Sequence, residues 1–209
     1  MFMVDLEETI DCAVNYLTGD RSIFNNESPL FQKTFVAYLA DKNSSTLREA
    51  VTLRILNYKK IEKKHGADGI HPVTGKYVEV KPQYAHLNED GKQNYLGGGG
   101  TFNDIHYDKV KSCAGWDMVC SGFAEDKLIY IVRFPFDYLA PHLQKFIDEK
   151  IQSNKNKKEG ETQGRFSTMF RYNQYIDCPN LEVVYFNKEH AQRFMSKKMY
   201  NSLNTKYNA

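Results

Sequence analysis

Residues 65–83 read HGADGIHPVTGKYVEVKPQ, and the spacing within them decides the fold. From Lys76 to Lys81 a polar or aromatic residue alternates with valine, the period-two pattern of a strand whose side chains point to opposite faces. Val78 and Val80 are expected to enter a core, while Tyr77, Glu79, Lys81 and Gln83 line the other face. Pro82 either ends this strand or marks an edge position. The segment His71-Pro72-Val73-Thr74-Gly75 carries turn residues. A hairpin there returns Asp68, on the preceding arm, beside Glu79.

Two carboxylates can hold a hard divalent cation through oxygen ligands. Such a cation stabilises the charge of a phosphodiester under displacement, and Lys81, two residues beyond Glu79, can steer or polarise a water. A second reading stays open, that of a solvated hairpin with charges on its exposed face, because short motifs recur by chance.

Upstream the chain reads as helical. Leu6, Ile10, Val14 and Leu17 fall on one face of residues 5–18, with Asp5-x-x-Glu8 as a start and Gly19 as a stop. Ser28-Pro29 opens a second helix carrying Phe31, Phe35 and Leu39. A third is expected from Thr46 to about His65, with Leu47, Val51 and Ile55 on one stripe. Thr46-Leu47-Arg48-Glu49 reads as a capping box, which would occupy Glu49.

Downstream, residues 84–100 are irregular and end in Gly97-Gly98-Gly99-Gly100. They read either as a mobile loop near a ligand or as a flexible connection. No Gly-Lys-Ser/Thr follows, which excludes a P-loop. Thr101-x-x-Asp104 reads as a helix start. Residues 117–134 read as two strands, the second (Leu128 to Val132) apolar enough to be buried on both faces. A helix over 138–152, a polar segment over 153–165, a strand from Leu181 to Phe186 and a basic helix over 188–203 complete the chain. That last helix sets Lys188, Arg193, Lys197 and Lys198 against Glu189, a face for phosphate or simply for solvent.

Asp68, Glu79 and Lys81, with a helix before their hairpin and paired strands after it, resemble the PD-(D/E)xK (restriction-endonuclease-like) nuclease superfamily, most closely its type II restriction endonucleases. The specific part of the resemblance covers about residues 46–135. It departs from the usual pattern in having Ala67, not proline, before Asp68. The resemblance implies an α/β (α+β) fold, with a central mixed sheet flanked by helices and a helical N-terminal region. It implies that Asp68 and Glu79 bind Mg²⁺ (Mn²⁺ substituting) and that Lys81 assists the attacking water. Glu49 is a further candidate, since some relatives use a glutamate on the preceding helix, and so is Gln83. The implied partners are double-stranded DNA and a second copy of the chain, in the cytoplasm of a prokaryotic or phage-infected cell. A repair, resolvase or phage nuclease of the same fold is the alternative, and a non-catalytic nucleic-acid-binding protein is another.

Arginines and amides read base edges, so Arg165, Arg171, Asn173 and Gln174 are the base-recognition candidates, with Lys197 and Lys198 added for phosphate. The 209 residues are expected to form one domain: N-terminal helices over 1–45, a catalytic core over 46–135, and a supporting or DNA-recognition subregion over 136–209. The net charge of +2 is too small to argue for nucleic acid by itself. No run of 18 apolar residues exists, so no membrane span is expected, and the acidic N-terminus lacks a signal-peptide layout. Cys12, Cys113, Cys120 and Cys178 form no Cys-x-x-Cys pair, which argues against a zinc ribbon.

Overall fold

A computed structural model of the chain describes residues 6–25, 27–41, 43–62, 66–86, 94–154 and 166–208. Three helices come first: α1 (Leu6–Thr18), α2 (Pro29–Ala40) and α3 (Ser45–Ile55). Short strands β1 (Lys59–Lys60) and β2 (Gly69–Ile70) lead into the long β3 (Tyr77–Ala85). Then follow β4 (Gly100–Ile105), α4 (Tyr107–Ser112), β5 (Asp117–Ala124), β6 (Lys127–Pro135) and α5 (Phe136–Asn154). The chain closes with β7 (Phe166–Phe170), β8 (Glu182–Phe186), α6 (Lys188–Phe194) and α7 (Lys197–Tyr207). The architecture is α/β, with a mixed six-stranded sheet in the order β1-β2-β3-β5-β6-β8 and a separate β4-β7 pair. Among the described strands only β3 and β5 pair in parallel, from Val78 opposite Asp117 to Ala85 opposite Ala124. Among the described residues no helix is long and apolar enough to cross a membrane.

The alternation in β3 sorts its two faces. Val78 and Val80 are buried against Val51 and Leu53 of α3 and Ala13 and Leu17 of α1. The opposite side of the sheet is covered by α4, α5, the β4-β7 pair, α6 and α7, through Val110, Leu143, Phe102, Phe170, Phe194 and Leu203. Glu79, Lys81 and Gln83 therefore look into an interlayer space and not into open solvent. As expected for a buried central strand, Leu128 to Val132 of β6 are fully covered.

β2 pairs with β3 only at Tyr77 and Val78. Beyond that point β3 has β5 on one side and, among the described residues, no ladder partner on the other. The Val80 amide donates to the Asp68 carboxylate on this open side. Pro82, two residues on, turns its missing N–H the same way, so the strand continues through it to Ala85 without losing a ladder bond. Pro82 is thus an edge residue and not the strand's end.

Several expectations are corrected. The third helix stops at Ile55, where Asn57 adopts φ +59° and turns the chain into β1. Thr101–Asp104 is not a helix start: it lies in β4, Asp104 has φ +64° at an irregularity in the β4-β7 ladder, and α4 is capped by His106 accepting from Lys109 N. The basic helix of 188–203 is two helices, broken at Met195, which bridges to Leu96, and restarted by Ser196 accepting from Met199 N. The Asp5 cap and most of 153–165 lie outside the described residues.

The glycine run is closely packed against its neighbours. Gly98 and Gly99 are buried, and Gly100 is the first residue of β4. A Cβ on Gly99 would overlap the Phe170 carbonyl, and one on Gly100 would lie 2.6 Å from Lys81 Cβ. Gly99→Ala is expected to force β4 from β7 and cost about 3 kcal/mol; a thermal melt within 1–2 °C of wild type would contradict this packing.

Candidate active site

Asp68 lies just before β2, where its amide donates to Val78 O at 2.9 Å and brings the side chain to β3. One carboxyl oxygen of Asp68 accepts from Val80 N at 2.6 Å. Lys81 Nζ sits 2.5 Å from Glu79 Oε1 and 5.0 Å from the centre of the Phe102 ring. The other Glu79 oxygen, Oε2, is buried and has no hydrogen-bond partner. Burying a carboxylate oxygen without a donor or cation is costly, so this atom marks a place built for something further.

The electrostatics describe one compact acidic site. Burial, with the nearby charge of Glu79, pushes the Asp68 carboxyl up to about 7. Burial alone would lower the Lys81 pKa, but Glu79, by charge and by hydrogen bond, and Asp68 together hold it above the ordinary lysine value. Lys81 thus stays cationic at neutral pH.

Glu49 belongs to this neighbourhood. α3 begins after Ser44, whose side chain bonds Tyr38 O, so Thr46 and Glu49 form no capping box. Instead the half-buried Glu49 carboxyl is raised by burial, an effect opposed by Lys60 and Lys81 and reinforced by Glu79. α3 is held to the sheet by a buried contact of 2.8 Å between Thr52 Oγ1 and Ser121 Oγ. Among the described residues no three His, Cys, Asp or Glu side chains converge closely enough to hold a metal ion. The candidate donors are Asp68 and Glu79, with Glu49 within electrostatic reach of Glu79. Mg²⁺ keeps several waters and is commonly bound through one or two carboxylates, so the pair with its orphaned oxygen fits such an ion.

Gln83 holds the glycine run in place, since its Oε1 accepts from the amides of Gly97 and Gly98 at 3.0 and 2.9 Å. It also forms part of the wall of a groove of about 820 Å³, together with Arg171 and Lys197. Asn173 and Lys198 are exposed outside that lining, and Gln174 is committed locally, its Oε1 accepting from Arg171 N. Arg165 lies outside the described residues. Sequence reading did not single out Tyr95 and Met169, which share the groove with Tyr172 of the expected recognition segment 165–174. Their signal is aromatic and thioether residues flanking a glycine run and an arginine, too diffuse to find without the fold. It also missed Asp117, a buried residue that accepts from Tyr58 OH and pairs with Lys76 Nζ at 2.5 Å. That pair ties the hairpin base to β5.

Compared with known proteins, the chain matches no family model, and no curated protein is significantly similar to it in sequence.

Proposed function

We propose that the chain is a divalent-metal-dependent endonuclease that hydrolyses phosphodiester bonds of DNA, built on a PD-(D/E)xK core and acting as a site-specific type II restriction enzyme. The observation that carries this reading is the buried, unpartnered Glu79 Oε2, with Asp68 within electrostatic reach of Glu79 and a cationic Lys81 bonded to the same carboxylate. The order of elements supports it: a helix, an antiparallel hairpin bearing both acids, then a crossover through α4 to the parallel strand β5.

Asp68 and Glu79 would hold Mg²⁺ or Mn²⁺, which when bound supplies a Lewis acid for the scissile phosphate. The Val80 amide fixes one oxygen of Asp68 and leaves the other to face the site. Lys81, held protonated, is unsuited to remove a proton; it orients the attacking water and offsets charge gathering on the phosphate oxygens. Phe102, beneath its ammonium, keeps that side of the site apolar. In the hydrolysis, water oxygen bonds to phosphorus, the bond to the 3′ oxygen breaks, and the leaving oxygen takes a proton, giving 5′-phosphate and 3′-hydroxyl ends. A homodimer would set two such sites on opposite strands of a palindrome.

Incubating a long unmodified duplex with Mg²⁺, beside an EDTA control, tests this. Discrete fragments that vanish in EDTA are the expected result. A metal-dependent smear would favour a repair or phage nuclease of the same fold. Intact DNA across duplex, branched, modified and single-stranded substrates would remove the nuclease reading.

A further inference from the structure

The groove beside Gln83 has a chemistry of its own. Gln83 lies on the same face of β3 as Glu79 and Lys81 and four residues beyond Glu79, about 13 Å along the strand. The glycine run joins the two places: Gly100 touches the Lys81 stem, while Gly97 and Gly98 bond Gln83. Two cations, Arg171 and Lys197, stand on the groove wall, both exposed, and among its described lining residues there is no Asp or Glu. Tyr95 and Met169 are 58% and 59% exposed, and Tyr172 stands near them. Flat apolar faces, cations and no carboxylate make up the surface on which unpaired bases stack while their phosphates are neutralised. A space of about 820 Å³ lies within the range of clefts that enclose a single small ligand, about 300–1,000 Å³. It is of nucleotide size.

We propose that this groove receives an unstacked nucleobase with its flanking phosphate, the base lying on Tyr95 and Tyr172 and the phosphate meeting Arg171 and Lys197. The proposal rests on the nuclease reading for its choice of DNA, and it specifies how the substrate is held: one base leaves the stack near the reacting bond. That base comes either from an intact duplex, by extrusion, or from DNA already unpaired at the site. The shared chemistry is a base face plus one anionic oxygen cluster.

Binding in EDTA, where no metal-dependent cleavage intrudes, separates this proposal from the nuclease reading. Fluorescence anisotropy is read with a labelled single-stranded oligonucleotide and with the same sequence as a blunt duplex carrying 2-aminopurine. Tyr95→Ala should weaken single-strand binding roughly 5- to 100-fold, the loss of one stacking platform. Arg171→Ala with Lys197→Ala should weaken it and flatten its salt dependence. All three side chains are exposed, so the variants should fold. A rise in 2-aminopurine fluorescence on binding the duplex, lost in Tyr95→Ala, identifies extrusion. Tight single-strand binding without that rise identifies DNA already unpaired. Wild-type affinity in every variant, or no binding of either DNA by the wild type, overturns the proposal. The nuclease reading fails separately, on the absence of metal-dependent cleavage.

Discussion

Glu79→Gln should abolish metal-dependent DNA cleavage, lowering turnover roughly a thousand-fold or more, in the range that loss of a single transition-state electrostatic partner produces. The substitution keeps the shape of a residue that is only 6% exposed, so the fold should survive. It removes one of the two charges in the acidic pair and turns the ion pair with Lys81 into a neutral contact. Mn²⁺ binding followed by calorimetry should be lost with it. Lys81→Met makes the informative contrast. That protein should also fail to cleave, yet bind Mn²⁺ at least as well as wild type, because the ammonium that competes for Glu79 Oε1 is gone. Cleavage by Glu79→Gln at a rate near wild type would remove Glu79 from the reaction.

The second large effect is on stability and runs against the usual direction for a carboxylate. Asp68 titrates at about 7 in the folded chain against an ordinary value of 3.8, because it is buried and lies near the charge of Glu79. Between these two values the unfolded chain has released the proton while the folded chain still holds it. Stability of the metal-free protein is therefore highest on the acid side of this window and falls as pH rises through it. The loss should be a few kcal/mol, or a melting temperature roughly 5–10 °C lower at pH 8 than at pH 5. Glu49, also raised by burial, adds to the same trend. Asp126 has the opposite sign. Although burial opposes it, its bonds to Tyr16, Lys127 and Arg21 hold it at about 2, so its contribution is lost only as pH falls from about 4 to 2. The two windows do not overlap. Asp68→Asn should flatten the pH 5–8 slope, and Mg²⁺ should restore melting temperature at pH 8 by binding the folded state. An equal slope in Asp68→Asn would place the titration elsewhere.

The hairpin was legible because its information is local. Period-two alternation sorted Val78 and Val80 from Glu79 and Lys81, and turn residues brought Asp68 back to β3. Helices α1 and α2 and strands β5 and β6 were legible for the same reason. What sequence reading missed depends on contacts between distant segments. Glu49 carried two readings in the sequence, a helix cap and a further candidate beside the acids, and the start of α3 after Ser44, with Lys81 and Glu79 within electrostatic reach, is what removes the first. The glycine run looks loose because glycine alone carries no signal of close packing; only Phe170 and Lys81, far away in sequence, give the reason for it. Asp104 looks like a helix cap, yet it serves a strand irregularity opposite β7, a partner more than sixty residues downstream.

The open side of β3 bears on how the protein behaves at high concentration. A long strand with an unpaired flank ordinarily invites another chain to add itself, a route to aggregation. Here the Val80 donor is already taken by Asp68, and Pro82 has none to offer. An incoming strand would meet two consecutive outward positions unable to donate. The Asp68 carboxylate and Pro82 together make this flank of β3 a poor template for self-association.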